Sequence, residues 1–143
     1  MKKYFLFFIS FLPLVFFSLT FADSTKTIEV EANIDSHCDS HKGEIVVPNG
    51  KIAFNFTDHI YSSWLPCSGP EFPDRIGYSI QKFKGYEYGR AQYDDIYSVS
   101  FYKNQEKVES GGPLDKLTLT AGTYHVWVGG GKSTWVTIKY DLK

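Results

Sequence analysis

The sequence predicts an all-β protein, an antiparallel two-layer sandwich of jelly-roll type with about eight strands. Three observations carry that prediction. Apolar and polar residues alternate with a period of two in segment after segment, which places apolar side chains on one face of a strand. No stretch of ten or more residues keeps the i, i+3, i+4 spacing of an amphipathic helix. Glycine, proline and asparagine separate the alternating segments at short intervals, the punctuation expected of sheets built from short strands.

Taken in order, the first strand falls at 27–34, with Ile28, Val30, Ala32 and Ile34 on one face. Strands at 44–47 and 51–57 follow, the second with Ile52, Phe54 and Phe56 in phase, and Pro48-Asn49-Gly50 between them is a turn signal. The segment 75–83 points Ile76, Tyr78 and Ile80 inward, and 95–103 does the same with Tyr97, Val99 and Phe101. Strands at 116–120, 123–128 and 134–142 complete the set. Two connections, 58–74 and 84–94, are longer than a hairpin needs, and long loops on a rigid sandwich are where binding usually resides.

The N-terminus reads as an export signal. Lys2 and Lys3 precede an apolar run from Tyr4 to Leu19, and the small residues Thr20 and Ala22 suit cleavage after Ala22, so residues 23–143 are expected to form a single exported domain with no membrane span; an uncleaved anchor is the competing reading of the run. Destination is the periplasm or the medium. Taking Lys2 and Lys3 from the 15 basic residues leaves 13 against 16 acidic ones, a balance that argues against nucleic acid as a partner. Cys38 and Cys67 are the two cysteines, and in an oxidising compartment they are expected to pair. Such a bridge, closing about 30 residues, is worth roughly 3.6 kcal/mol in the chain-entropy account.

From residue 95 onward the segments IYSVSFYKNQEKV and LTLTAGTYHVWVGGGKSTWVTIKYDL set a strand and polar turn before Ala-Gly-Thr-Tyr and a valine-alternating strand. This resembles the bacterial pre-peptidase C-terminal domain family, small β-sandwich modules appended to secreted enzymes, over about a third of the chain. The resemblance implies a sandwich and a noncatalytic module. It carries over no active site.

Candidate site residues come from three places. In 123–128 the residues Tyr124, Val126 and Val128 share a face, leaving His125 and Trp127 on the other; in 134–142 Val136, Ile138, Tyr140 and Leu142 oppose Trp135, Thr137 and Lys139. Joined as a hairpin through residues 129–133, these strands would set Trp127 opposite Trp135 and His125 opposite Thr137. Such a platform either stacks on sugar rings or anchors a protein, or simply locks the hairpin. The tyrosine-rich segment Tyr86, Tyr88, Arg90 and Tyr93 has the composition of an adaptable binding loop. His37, Asp39 and His41 could hold copper or zinc, and Glu71, Asp74, Asp94 and Asp95 offer oxygen ligands for calcium; a solvated turn or loop is the competing reading of each.

No nucleophile elbow, zinc-protease helix, phosphate loop or dinucleotide fingerprint is present. Carboxylate pairs for glycoside chemistry, which come from distant strands, stay open, and the leading expectation is a secreted noncatalytic module, a monomer, that recognises a carbohydrate or a cell-surface protein. The alternatives are a small metal-binding periplasmic protein, or an exported effector or inhibitor acting on a protein partner.

Overall fold

The computed structural model describes residues 24–31, 39–66 and 72–143, and of residues 39–42 the backbone alone. The expected leader, His37, Cys38, Cys67 and Glu71 lie outside the described residues, as do the side chains of Asp39 and His41, and with them the disulfide and the histidine metal site.

Eight described strands form two antiparallel sheets. They are β1 (Ser24–Glu31), β2 (Asp39–Val47), β3 (Ala53–Leu65), β4 (Arg75–Glu87), β5 (Arg90–Tyr102), β6 (Lys107–Ser110), β7 (Gly122–Gly129) and β8 (Lys132–Leu142). One sheet runs β1-β8-β3 and the other β2-β7-β4-β5-β6. Their inner faces meet in one core that includes Val30, Ile45, Phe56, Tyr78, Ile80, Tyr97, Val99, Tyr124, Val126, Val136 and Ile138. The alternation in the sequence thus marks the buried face of β4, β5, β7 and β8 correctly, because each of these strands has one side on the core and the other outside.

Tyrosines reach across this core and place their hydroxyls where a partner waits at its margin. Tyr78 on β4 donates to Asp58 Oδ2 on β3 at 2.7 Å, a bond that ties one sheet to the other. Tyr97 donates to Glu109 Oε1 at 2.6 Å and Tyr124 to the carbonyl of Thr120 at 3.0 Å. Burial, followed by the hydrogen bonds to Asp58 and Glu109, pushes the Tyr78 and Tyr97 phenols well above their ordinary range.

Four expectations are corrected. The segment 116–120 is no strand: it holds the end of a 3-10 turn, Leu114–Lys116, and a single bridge from Leu119 to Ala53, so Leu117 and Leu119 are buried without a ladder. A strand at Lys107–Ser110 takes its place in the count, every residue of it exposed. The connections at 58–74 and 84–94 are strand over most of their described length, β3 running on to Leu65 and β4 and β5 meeting at a two-residue turn, Tyr88-Gly89. Finally, Ile52, Phe54 and Phe56 do not share the core face. A bulge between Phe54 and Thr57, with Asn55 at φ 55°, puts Ala53 and Phe56 inside instead.

Candidate functional site

The largest correction decides where the site lies. β7 and β8 do not form a hairpin. β7 pairs with β2 and β4, whereas β8 pairs with β1 and β3. The Gly129 to Gly131 segment carries the chain from one sheet to the other, and a Cβ at Gly130 (φ +114°) would stand 2.5 Å from the Arg75 carbonyl oxygen, so only glycine fits this crossing. The valine-rich faces point inward as expected. Trp127 and Trp135 therefore face outward on opposite sides of the sandwich, and no platform joins them.

On the five-stranded sheet the outward residues of β4 and β5 nearest Trp127 are small: Gly77 and Ser79 on one, Ser98 and Ser100 on the other. Ser79 lies opposite Trp127 in the register of β4 and β7. The indole lies back along its own strand, since a Cβ at Gly129 would sit 2.6 Å from it. A wall of indole beside a floor of small side chains leaves a groove of about 530 Å³, bordered by Asp74, Arg75, Gln81 and Asp95. Gln81 is oriented by Asp95: its amide nitrogen donates to Asp95 Oδ1 at 2.8 Å. Its Oε1 is buried with no donor among the described residues.

Rings continue the face beyond the groove. His125 stands next to Trp127 on the same side of β7, packs edge to face with Tyr93 at 5.2 Å between centroids, and approaches Glu44 at 3.7 Å. Tyr93 meets Phe83 at 5.7 Å, and Phe83 meets Tyr86 at 5.3 Å. This ladder follows the β4–β5 hairpin past the point where β7 stops pairing with it, at Lys82. Tyr88 and Arg90 stand apart at the hairpin tip, Tyr88 almost wholly exposed.

The structure thus gathers Trp127, His125, Tyr93 and Tyr86 of the expected residues on one face and places Trp135 elsewhere. Trp135 stacks on Tyr61 of β3 at 4.3 Å on the outer side of the three-stranded sheet. Of the calcium grouping, Glu71 lies outside the described residues. Asp94 pairs with Lys84 at 3.2 Å and Asp95 with Gln81, and no group of three or more metal-ligating side chains occurs among the described residues. Nor is any helix among them long and apolar enough to cross a membrane.

Phe83 and the serine floor were not singled out from sequence. The signal was present in the phase opposite to the core: Ile76-Gly77-Tyr78-Ser79-Ile80 and Tyr97-Ser98-Val99-Ser100-Phe101 each set a small residue between large ones. Adjacent strands with that pattern make a furrow on the outside of a sheet. No family model, no curated protein and no solved structure matches this chain.

Proposed function

We propose that this protein is a secreted, noncatalytic binding module that recognises carbohydrate on the outer face of its five-stranded sheet. The observation that carries the reading is the groove beside Trp127. An indole offers a flat apolar surface to the C–H face of a sugar ring, and Gln81, Asp95 and the serine hydroxyls supply planar and tetrahedral hydrogen-bonding groups for its hydroxyls. The ladder His125, Tyr93, Phe83, Tyr86 extends the apolar surface in one direction, which suits a chain of several sugars. The apolar leader and the paired-cysteine expectation fit a protein that works outside the cytoplasm.

The test is a glycan array probed with the protein and with Trp127→Ala. Specific binding that disappears in the variant supports the proposal. Binding that survives the substitution, or a folded protein that binds no glycan, overturns it. A protein ligand is the second reading, favoured by the exposed Tyr86, Tyr88 and Arg90 at the hairpin end, and it would show as binding to a cell surface that persists after its glycans are removed.

A further inference from the structure

Five non-glycine residues among those described have left-handed backbone: Asn55, Trp64, Tyr88, Gln105 and Ser133. Two of them, Trp64 and Gln105, line the same cleft although they come from different layers of the sandwich. The cleft, about 420 Å³, lies where the edge strand β3 passes the ends of β4 and β5, and it shares Ile76 alone with the lining of the Trp127 groove. Residues in sparsely populated backbone regions persist only where the surroundings enforce them, and they gather at binding sites.

Here the enforcing contacts are plain. The register of β3 against β8 slips between Ser62 and Leu65, and Trp64 sits in the bulge at φ 55°. Its N–H donates to Ser62 Oγ at 3.1 Å, Ser62 Oγ is bonded to Thr134 Oγ1 at 2.7 Å, and Ser63 Oγ donates to the Lys132 carbonyl at 2.6 Å. A bulge of this kind re-aims a side chain. Across the cleft, Gln105 closes the loop between β5 and β6 at φ 69°, a position that normally favours glycine. The Gln105 N–H donates to the Tyr102 carbonyl and the Tyr102 N–H to the Glu106 carbonyl, each at 2.9 Å.

The walls are aromatic. Tyr61, Trp64, Phe101 and Tyr102 line the cleft with Gln105 and Glu106, and Trp135 backs Tyr61 from outside. Glu106 is a carboxylate with no ion pair among the described residues. The neighbouring lysine shows what these rings attract: Lys107 Nζ lies 5.7 Å from the Phe101 centroid, its charge already answered by Glu109 at 2.9 Å. Aromatic faces beside an exposed carboxylate suit a cation better than a neutral group of the same shape.

We propose that this cleft binds a small organic cation of the methylated or quaternary ammonium class, its methyl groups against Tyr61, Trp64 and Tyr102 and its charge opposite Glu106. None of these contact residues lines the Trp127 groove.

Choline and its uncharged isostere 3,3-dimethyl-1-butanol are the probes, titrated into the protein while the N–H signals of its 3 indoles are followed by NMR. Choline is expected to shift the Trp64 signal selectively and to bind roughly tenfold tighter than the isostere. Glu106→Gln should cut choline affinity severalfold and narrow the preference for charge to what the rings alone supply. Trp64→Gly should abolish binding while the melting temperature holds or rises, because glycine is at ease at that backbone angle. Equal binding of the two probes, a shift at Trp127 in place of Trp64, or no shift with choline at roughly 100 mM would each overturn the proposal. Because the carbohydrate test reads Trp127 and this one reads Trp64, either can fail alone.

Discussion

The two outer faces of the sandwich each carry one tryptophan, on strands adjacent in the chain, and the two have opposite surroundings. Trp127 on β7 has Ser79 across from it on β4 and a floor of glycine and serine beyond. Trp135 on β8 has Tyr61 across from it on β3, stacked at 4.3 Å, and Glu31 on β1 at its other flank. Small cross-strand neighbours leave a recess beside an indole, and a large one fills it. Whether a recess stands beside an outward tryptophan is thus set by the size of the residue opposite. The three-stranded face is accordingly a brace, closed further by Asp141, which accepts from Thr25 at 2.7 Å on one side and from Asn55 at 2.7 Å on the other.

If that contrast holds, the largest effect is on binding. Trp127→Ala should lower carbohydrate affinity by about 2 kcal/mol or more, the range of a binding hot spot, while Trp135→Ala leaves affinity within about twofold; titration calorimetry of both variants checks the pair. Next in size, Tyr61→Ala should cost about 1 kcal/mol of stability in urea titrations through loss of the stacked pair, with no change in carbohydrate affinity.

A smaller effect is one of pH. Hydrogen bonds from Asn55 and then Thr25 hold the Asp141 carboxyl below its ordinary value, and those from Tyr97 and then Lys107 do the same for Glu109. Each carboxylate therefore adds stability above the unfolded carboxylate range near pH 4, and that contribution is lost as pH falls through the lower folded values. Urea midpoints measured downward from pH 6 should drop in this window, and Asp141→Asn should flatten the part belonging to the three-stranded sheet. The smallest effect is Tyr88→Asn at the hairpin tip. The first position of a turn with positive φ at both central residues favours asparagine over tyrosine, so a gain of about 0.5 kcal/mol is expected in thermal melts.

The inward residues of β4, β5, β7 and β8 were legible in the sequence because strands with one wet side must alternate. What alternation does not carry is the identity of the neighbour. Parity placed Trp127 and Trp135 on the outer faces of their strands, but three consecutive glycines allow either a hairpin or a crossing, and the close approach of Gly130 to Arg75 that selects the crossing is a tertiary contact. The bulge at Asn55 breaks the phase of Phe54 and Phe56 in the same hidden way. Leu117 and Leu119 alternate because both are buried against the core, not because they pair in a strand. The Lys107–Ser110 strand buries no side chain and so leaves no pattern to read. As for the site, parity found Trp127 and His125 and composition found Tyr86 and Tyr93, yet the furrow beside them lies in the serines and glycines that both readings pass over.

The crossing at Gly129 to Gly131 also orders events in time. β8 follows every other described strand in the chain, yet it lies in the middle of its sheet, with β1 and β3 on either side. β1 and β3 have no ladder to each other, and the contact between Thr25 and Asp141 spans 116 positions. Until residues 132–142 arrive, one whole layer has no template, and the apolar inner face of the five-stranded layer stays uncovered. Pairing over such separations slows folding, so a ribosome-bound chain must remain incompletely folded until residues 132–142 are released.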